Sequence, residues 1–177
     1  MKKTTWIART AICLALLVCL QFLTRSFSQL VTGSCVNLIL AMTALTGGVW
    51  SGVTVAALSP VFAKLLGIGP VWALVPCVAV GNAVYAVLFA LLVEKALHRD
   101  TPTAAYGCML LAALAKFLTL WLLIVKFVAP LVIPKAEVLA KITTMFTWPQ
   151  LFTAMIGGAL ACLVAPIVRK ALNGRKS

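Results

Sequence analysis

Lys116 is the residue whose chemistry most needs explaining. It stands near the middle of the stretch Ala104 to Lys126, AAYGCMLLAALAKFLTLWLLIVK, and is the sole charge before that stretch ends. At about 1.5 Å per residue, one helix of this length crosses roughly 30 Å of hydrocarbon and carries the ammonium close to the midplane. A lysine there costs about 3 kcal/mol on insertion scales, so it is expected to face a polar cavity or a partner rather than lipid. Other polar groups fall at compatible depths: Asn82 and Tyr85 in one apolar segment, Gln150 at the start of another, Gln21 and Arg25 at the end of the first, and Asn37 early in the second. An ammonium, amides that donate and accept, and aromatic surfaces from Tyr85 and Trp148 describe a pocket for a small molecule. Each has a plainer reading. Asn82 could bond a neighbouring helix, Trp148 could sit in an interfacial belt, and Lys116 could snorkel or pair with a carbonyl. Together they favour the pocket.

Several chemistries lack their residues. The three acidic residues, Glu94, Asp100 and Glu137, all fall in loops or at helix ends. An ion-driven transporter usually keeps a carboxylate or histidine inside the membrane for its coupling ion. Sodium held by carbonyls alone stays open. There is no G-x-x-x-x-G-K-[ST] phosphate loop, so energy for uphill transport has to come from a partner. The one histidine, His98, lies in a charged connector with Glu94 and Asp100, where a solvated loop residue is the simpler reading than a general base or metal ligand. The six cysteines show no C-x-x-C spacing and read as small core residues. A Ser-Lys dyad on Lys116 has no supporting motif. No catalytic residue, metal or cofactor is expected.

The elements that must position these groups are membrane helices. Hydrophobic residues make up 63% of the 177-residue chain, charged ones 10%, and mean hydropathy is +1.12. That composition belongs to a multi-pass membrane protein, all-α and a single domain spanning 1–177. At about 20 residues per span the length holds six transmembrane helices and hardly seven. We place them at about 6–24, 34–46, 49–66, 72–97, 104–129 and 148–172. Gly47-Gly48 breaks an uncharged run too long for one span and makes a tight hairpin, and Gly67-Ile68-Gly69-Pro70 makes the next turn. Between Pro130 and Thr147, Val138, Leu139, Ile142, Met145 and Phe146 fall at helical spacing. A short amphipathic segment is expected there, lying at the surface as a lid before the last helix. Thr147 is a plausible cap for that helix, with Pro149 in its first turn.

Charge then orients the chain. The amino end, the 94–103 connector and the tail hold Lys2, Lys3, Arg9, Lys95, Arg99, Arg169, Lys170, Arg175 and Lys176; the opposite side holds Arg25, Lys64, Lys126, Lys135 and Lys141. Nine against five puts both termini in the cytoplasm by the positive-inside rule. It also leaves the outer face basic enough to attract an anion. The first segment could instead be a cleaved signal peptide ending near Ser26-Phe27-Ser28. Against that, Ala8, Ala11 and Ala15 form a small-residue stripe on one face, suited to the close approach of another helix.

With these residues in view, the chain resembles the S components, the substrate-binding membrane subunits of energy-coupling factor transporters for vitamins. The resemblance runs over nearly the whole length. It is carried by the alanine stripe, by Val80-Gly81-Asn82-Ala83-Val84-Tyr85, by Ala115-Lys116-Phe117, and by Phe146-Thr147-Trp148-Pro149-Gln150 opening the last helix. It implies high-affinity capture of a vitamin from outside and association with two ATPases and one transmembrane coupling protein. It also implies that the S component topples in the membrane to release its cargo. By similarity Ala11-x-x-x-Ala15 is the dock for the coupling protein, and Asn82, Lys116 and Gln150 belong to the pocket. Lys116 and the basic mouth lean toward an anionic micronutrient such as pantothenate, nicotinate, biotin or a folate; a neutral one such as riboflavin or a queuosine precursor stays open. The expected partners are that ligand, the energising subunits and the lipid bilayer of the cell membrane, with no nucleic acid. The rival readings are a membrane scaffold of the cell envelope and, with least support, a small intramembrane enzyme.

Overall fold

A computed structural model describes residues 3–173 apart from 70 and 100. Lys2, Pro70, Asp100, Arg175 and Lys176, read above as parts of a basic start, a turn, a connector and a basic tail, lie outside the described residues, as does the side chain of Arg169. Among the described residues every regular element is helical. The elements are α1 (Lys3–Thr24), α2 (Gln29–Leu65), α3 (Trp72–His98), α4 (Pro102–Val132), α5 (Ala136–Met145) and α6 (Trp148–Asn173). Five helical segments are long and apolar enough to cross a membrane.

The second of them is bent double. Gly48 has φ 81° and ψ −177°, a backbone state that residues with a side chain rarely adopt, and there the chain reverses. Residues eight apart in sequence consequently touch: a Cβ on Gly52 would lie 3.2 Å from that of Ala44. A continuous helix would hold them about 12 Å apart. The arms, 29–47 and 49–65, are about 28 and 25 Å long. The first arm begins at Gln29, five residues earlier than expected from the sequence. The added turn is tied back to α1, where Thr32 Oγ1 donates to the Thr24 carbonyl at 2.7 Å.

Two more helices are irregular, each in its second half. α3 widens into a π-helix over Phe89–Val93 and α4 over Trp121–Val128. α4 also runs on through Pro130, past its expected end near 129, and ends only where Ile133 turns extended. Wide turns directly precede that proline, whose ring would crowd the carbonyl four residues back in a regular helix. α5 forms as an amphipathic helix: Ile142 is buried and Leu139 and Met145 partly so, with buried Phe146 just beyond its end, but Val138 is turned outward. Thr147 stands directly before α6, and its carbonyl accepts from the Gln150 amide at 3.0 Å. Its hydroxyl donates backward to the Thr144 carbonyl at 2.8 Å.

Packing divides into two apolar clusters. The larger centres on Leu17, Leu40, Val55, Tyr85, Phe89 and Met109 and is otherwise rich in alanine; the smaller gathers Leu74, Leu120, Ile124, Ile133, Ile142 and Phe146 under α5. Small residues set how closely the helices approach. At Gly81 a Cβ would fall 2.5 Å from Leu120 Cδ2, and at Gly157 it would fall 2.6 Å from the Ser34 carbonyl oxygen and 2.7 Å from Asn37 Cβ. Glycine at these positions lets α4 close on α3 beside Asn82, and α6 close on the first arm of α2 beside Asn37.

Candidate functional site

Lys116 lies one turn before Leu120, so the close approach of α4 at Gly81 brings its ammonium to Asn82. Its Nζ donates to Asn82 Oδ1 at 2.7 Å and to Asn37 Oδ1 at 2.5 Å. All three side chains are buried, Lys116 being 2% exposed. Asn37 in turn donates from Nδ2 to Thr153 Oγ1 at 3.2 Å, and Thr153 donates to the Gln150 carbonyl at 3.1 Å. One hydrogen-bonded chain thus joins the first arm of α2, α3, α4 and α6. The Tyr85 ring centroid lies 5.3 Å from the ammonium, within cation–π range.

A cavity of about 170 Å³ opens beside this cluster. Its polar lining comes from Gln21, Gln29, Asn37, Asn82, Lys116 and Gln150, with Lys64 as a second cation, and its apolar walls include Val36, Val78, Met145 and Phe146. Both charged groups in this lining are positive. Gln21 Oε1 is buried without a hydrogen-bond partner, an acceptor left for whatever enters. The end of α5 is fastened over the cavity by two amides: Gln29 Nε2 donates to the Met145 carbonyl at 2.7 Å, and Gln150 Nε2 to the same oxygen at 3.3 Å.

The remaining residues singled out from the sequence have other places. Tyr85 is fully buried in the larger core cluster, and its hydroxyl donates to the Ala154 carbonyl at 2.8 Å. It supports Lys116 from beneath and is absent from the cavity lining. Arg25 is exposed in the turn after α1, with its guanidinium 4.3 Å above the Phe22 ring. Gln21, a turn earlier, is the α1 side chain that reaches the cavity. Trp148 is 55% exposed and packs edge-on to Phe152, whereas Gln150, two positions further round α6, faces inward. Ala8, Ala11 and Ala15 are exposed along the outside of α1. His98 Nε2 meets Glu94 Oε1 at 3.0 Å across one exposed turn, far from the cluster.

Sequence reasoning gave no pocket role to Gln29, Lys64, Met145 or Phe146. The signal for Gln29 was the one that found Asn82, a lone amide bordering an apolar run. The other three were legible only as an outer cation and as one face of an amphipathic segment.

What the arrangement can do is bind. It offers a recessed cation, unspent amide groups and an apolar wall, and among the described residues no cluster of three metal-ligating side chains. No curated protein and no solved structure gives a match to the chain. The family model described as ECF transporter, substrate-specific component, does match, over residues 6–169, which takes in the cavity and every helix that lines it. The chain belongs to the substrate-specific components of ECF transporters.

Proposed function

We propose that this S component captures a vitamin-sized anion from outside the cell and presents it to its ATPase and coupling partners for import. In this reading the chain crosses the cell membrane six times, the two arms of α2 counting as separate spans, with both termini in the cytoplasm. The observation that carries the reading is the buried ammonium of Lys116, bonded to two neutral amides beside a cavity whose other charge is also positive. A carboxylate on the ligand supplies the missing opposite charge, and Coulomb attraction is strong where water is excluded. Lys64 and the outer cations raise the local concentration of such anions at the mouth. Asn37, Asn82 and Gln150, with Gln21, orient the remainder of the molecule.

α5 serves as the lid. To admit a ligand it has to give up the two amide bonds to the Met145 carbonyl and lift Phe146 out of the smaller core cluster. The exposed face carrying Ala8, Ala11 and Ala15 is the dock for the transmembrane coupling protein, where side chains of one carbon allow backbones to approach. Pantothenate, nicotinate, biotin and a folate all carry the carboxylate this site asks for.

The test is mass spectrometry of small molecules released from the detergent-purified protein. One carboxylate-bearing compound of vitamin size is expected from the parent and none from Lys116→Met or Asn82→Ala. Should the parent release nothing, and should no vitamin raise its melting temperature, the capture reading falls and a scaffold role takes its place.

A further inference from the structure

We infer that Asn37 and Asn82 set the charge class of the bound molecule: by holding Lys116 with neutral oxygens they keep it without a counter-ion, so the ligand has to bring one. The inference rests on the anion-capture reading above and adds to it the residues that decide charge.

Buried cations in proteins are normally paired with carboxylates, because a charge removed from water is costly unless it is neutralised nearby. Among the described residues that pairing is withheld. Glu94 lies twelve residues along α3 from Asn82, about 18 Å, and Glu137 is exposed on α5. Amides stand instead at the two positions within hydrogen-bond reach of the ammonium. An ammonium has three N–H donors, two of which go to Asn37 and Asn82; the third remains for the cavity that Lys116 lines. The amides fix the ammonium in place and deliver it unneutralised.

Asparagine and aspartate have nearly the same shape, so exchanging one for the other alters charge and leaves packing intact. Asn82 is the cleaner position. Asn37 also uses its NH₂ to reach Thr153, a donor an aspartate would lose. An aspartate at 82 would place a carboxylate 2.7 Å from the ammonium and occupy the electrostatic role of the ligand. The protein would then be self-neutralised, more stable when empty and indifferent to anions.

The experiment is a melting cycle on four forms of the full chain in detergent: parent, Asn82→Asp, Lys116→Met and the double variant. Asn82→Asp is expected to raise the melting temperature by about 5 °C in the parent and to lower it in the Lys116→Met background, where its carboxylate is buried alone. An equal shift in both backgrounds overturns the inference, since the ammonium then has no charge left to satisfy. Should Asn82→Asp fail to fold, Asn37→Asp carries the same cycle. The second arm uses nicotinate, pantothenate and biotin as probes, each beside its carboxamide. An acid that stabilises the parent while its amide does not, and that loses at least tenfold in apparent affinity in Asn82→Asp, supports the inference. An acid bound equally by parent and variant overturns it. If none of the six compounds stabilises the parent, capture of these three vitamins fails as a reading, and the melting cycle alone decides the role of the two asparagines.

Discussion

Lys116 and Tyr85 occupy one layer of the bundle and do different work. The lysine has its hydrogen bonds on the cavity side, whereas the tyrosine spends its hydroxyl on the Ala154 carbonyl and its ring in the core. Tyr85→Phe should therefore cost about 1 kcal/mol, the worth of one buried hydrogen bond, and lower the melting temperature by roughly 3 °C. Affinity for the released compound should stay within about twofold. Calorimetry and thermal unfolding on the same preparations separate the two effects, and a tenfold loss of affinity at unchanged stability would move Tyr85 into the site. Lys116 was legible in the sequence because a charge in an apolar run has to be accounted for. Its partners were legible only as candidates. Nothing in the order of residues selects Asn37 and Gln21 for the cavity while sending Arg25 to the surface.

At the scale of elements, the site depends on two close approaches and one reversal. An added Cβ at Gly157 would press on backbone, the Ser34 carbonyl oxygen and the Leu38 amide nitrogen, which cannot swing aside as a side chain can. Gly157→Ala should destabilise by about 1–3 kcal/mol and weaken binding as well, because α6 would be pushed off the arm that carries Asn37. Gly107→Ala serves as the control. Nothing lies within 4 Å of its added carbon, so the change should be neutral or stabilising by up to about 1 kcal/mol through helix propensity alone. Comparing the two melting temperatures checks both. Gly48→Ala forces a side chain into positive φ with extended ψ and should cost about 1–3 kcal/mol, read as a lowered melting temperature. The hairpin was readable from Gly47-Gly48 interrupting an overlong apolar run. The early start at Gln29 and the passage of α4 through Pro130 were not, since both depend on neighbours: the Thr32 bond to α1 and the wide turns before the proline.

For the molecule as a whole, the cavity proposed for capture and the alanine stripe proposed for docking are separate features. The cavity lies among α1, α2, α3, α4, α5 and α6, and the alanine stripe looks out from α1. Ala11→Leu or Ala15→Leu should accordingly leave ligand affinity of the isolated subunit within about twofold, yet abolish copurification with the energising subunits and uptake in cells. Uptake at parental rate with either leucine in place would remove the stripe from the docking surface.

The sequence by itself determined that this is an all-helical membrane protein with a cation inside a long apolar run, few acids and a hairpin at Gly48. Each follows from residue type and run length, which the bilayer thickness converts directly into spans. Tertiary structure alone decided which side chains share the cavity. In a soluble helix a polar face and an apolar face reveal the rotation of the helix about its axis. Here lipid-facing and core-facing sides are both apolar, as exposed Ile12 and buried Leu17 on α1 illustrate, so that rotation is not written in the hydrophobic pattern. It is fixed by glycines and alanines that choose where backbones meet, and those contacts, more than the polar residues themselves, bring Lys116 to Asn37 and Asn82.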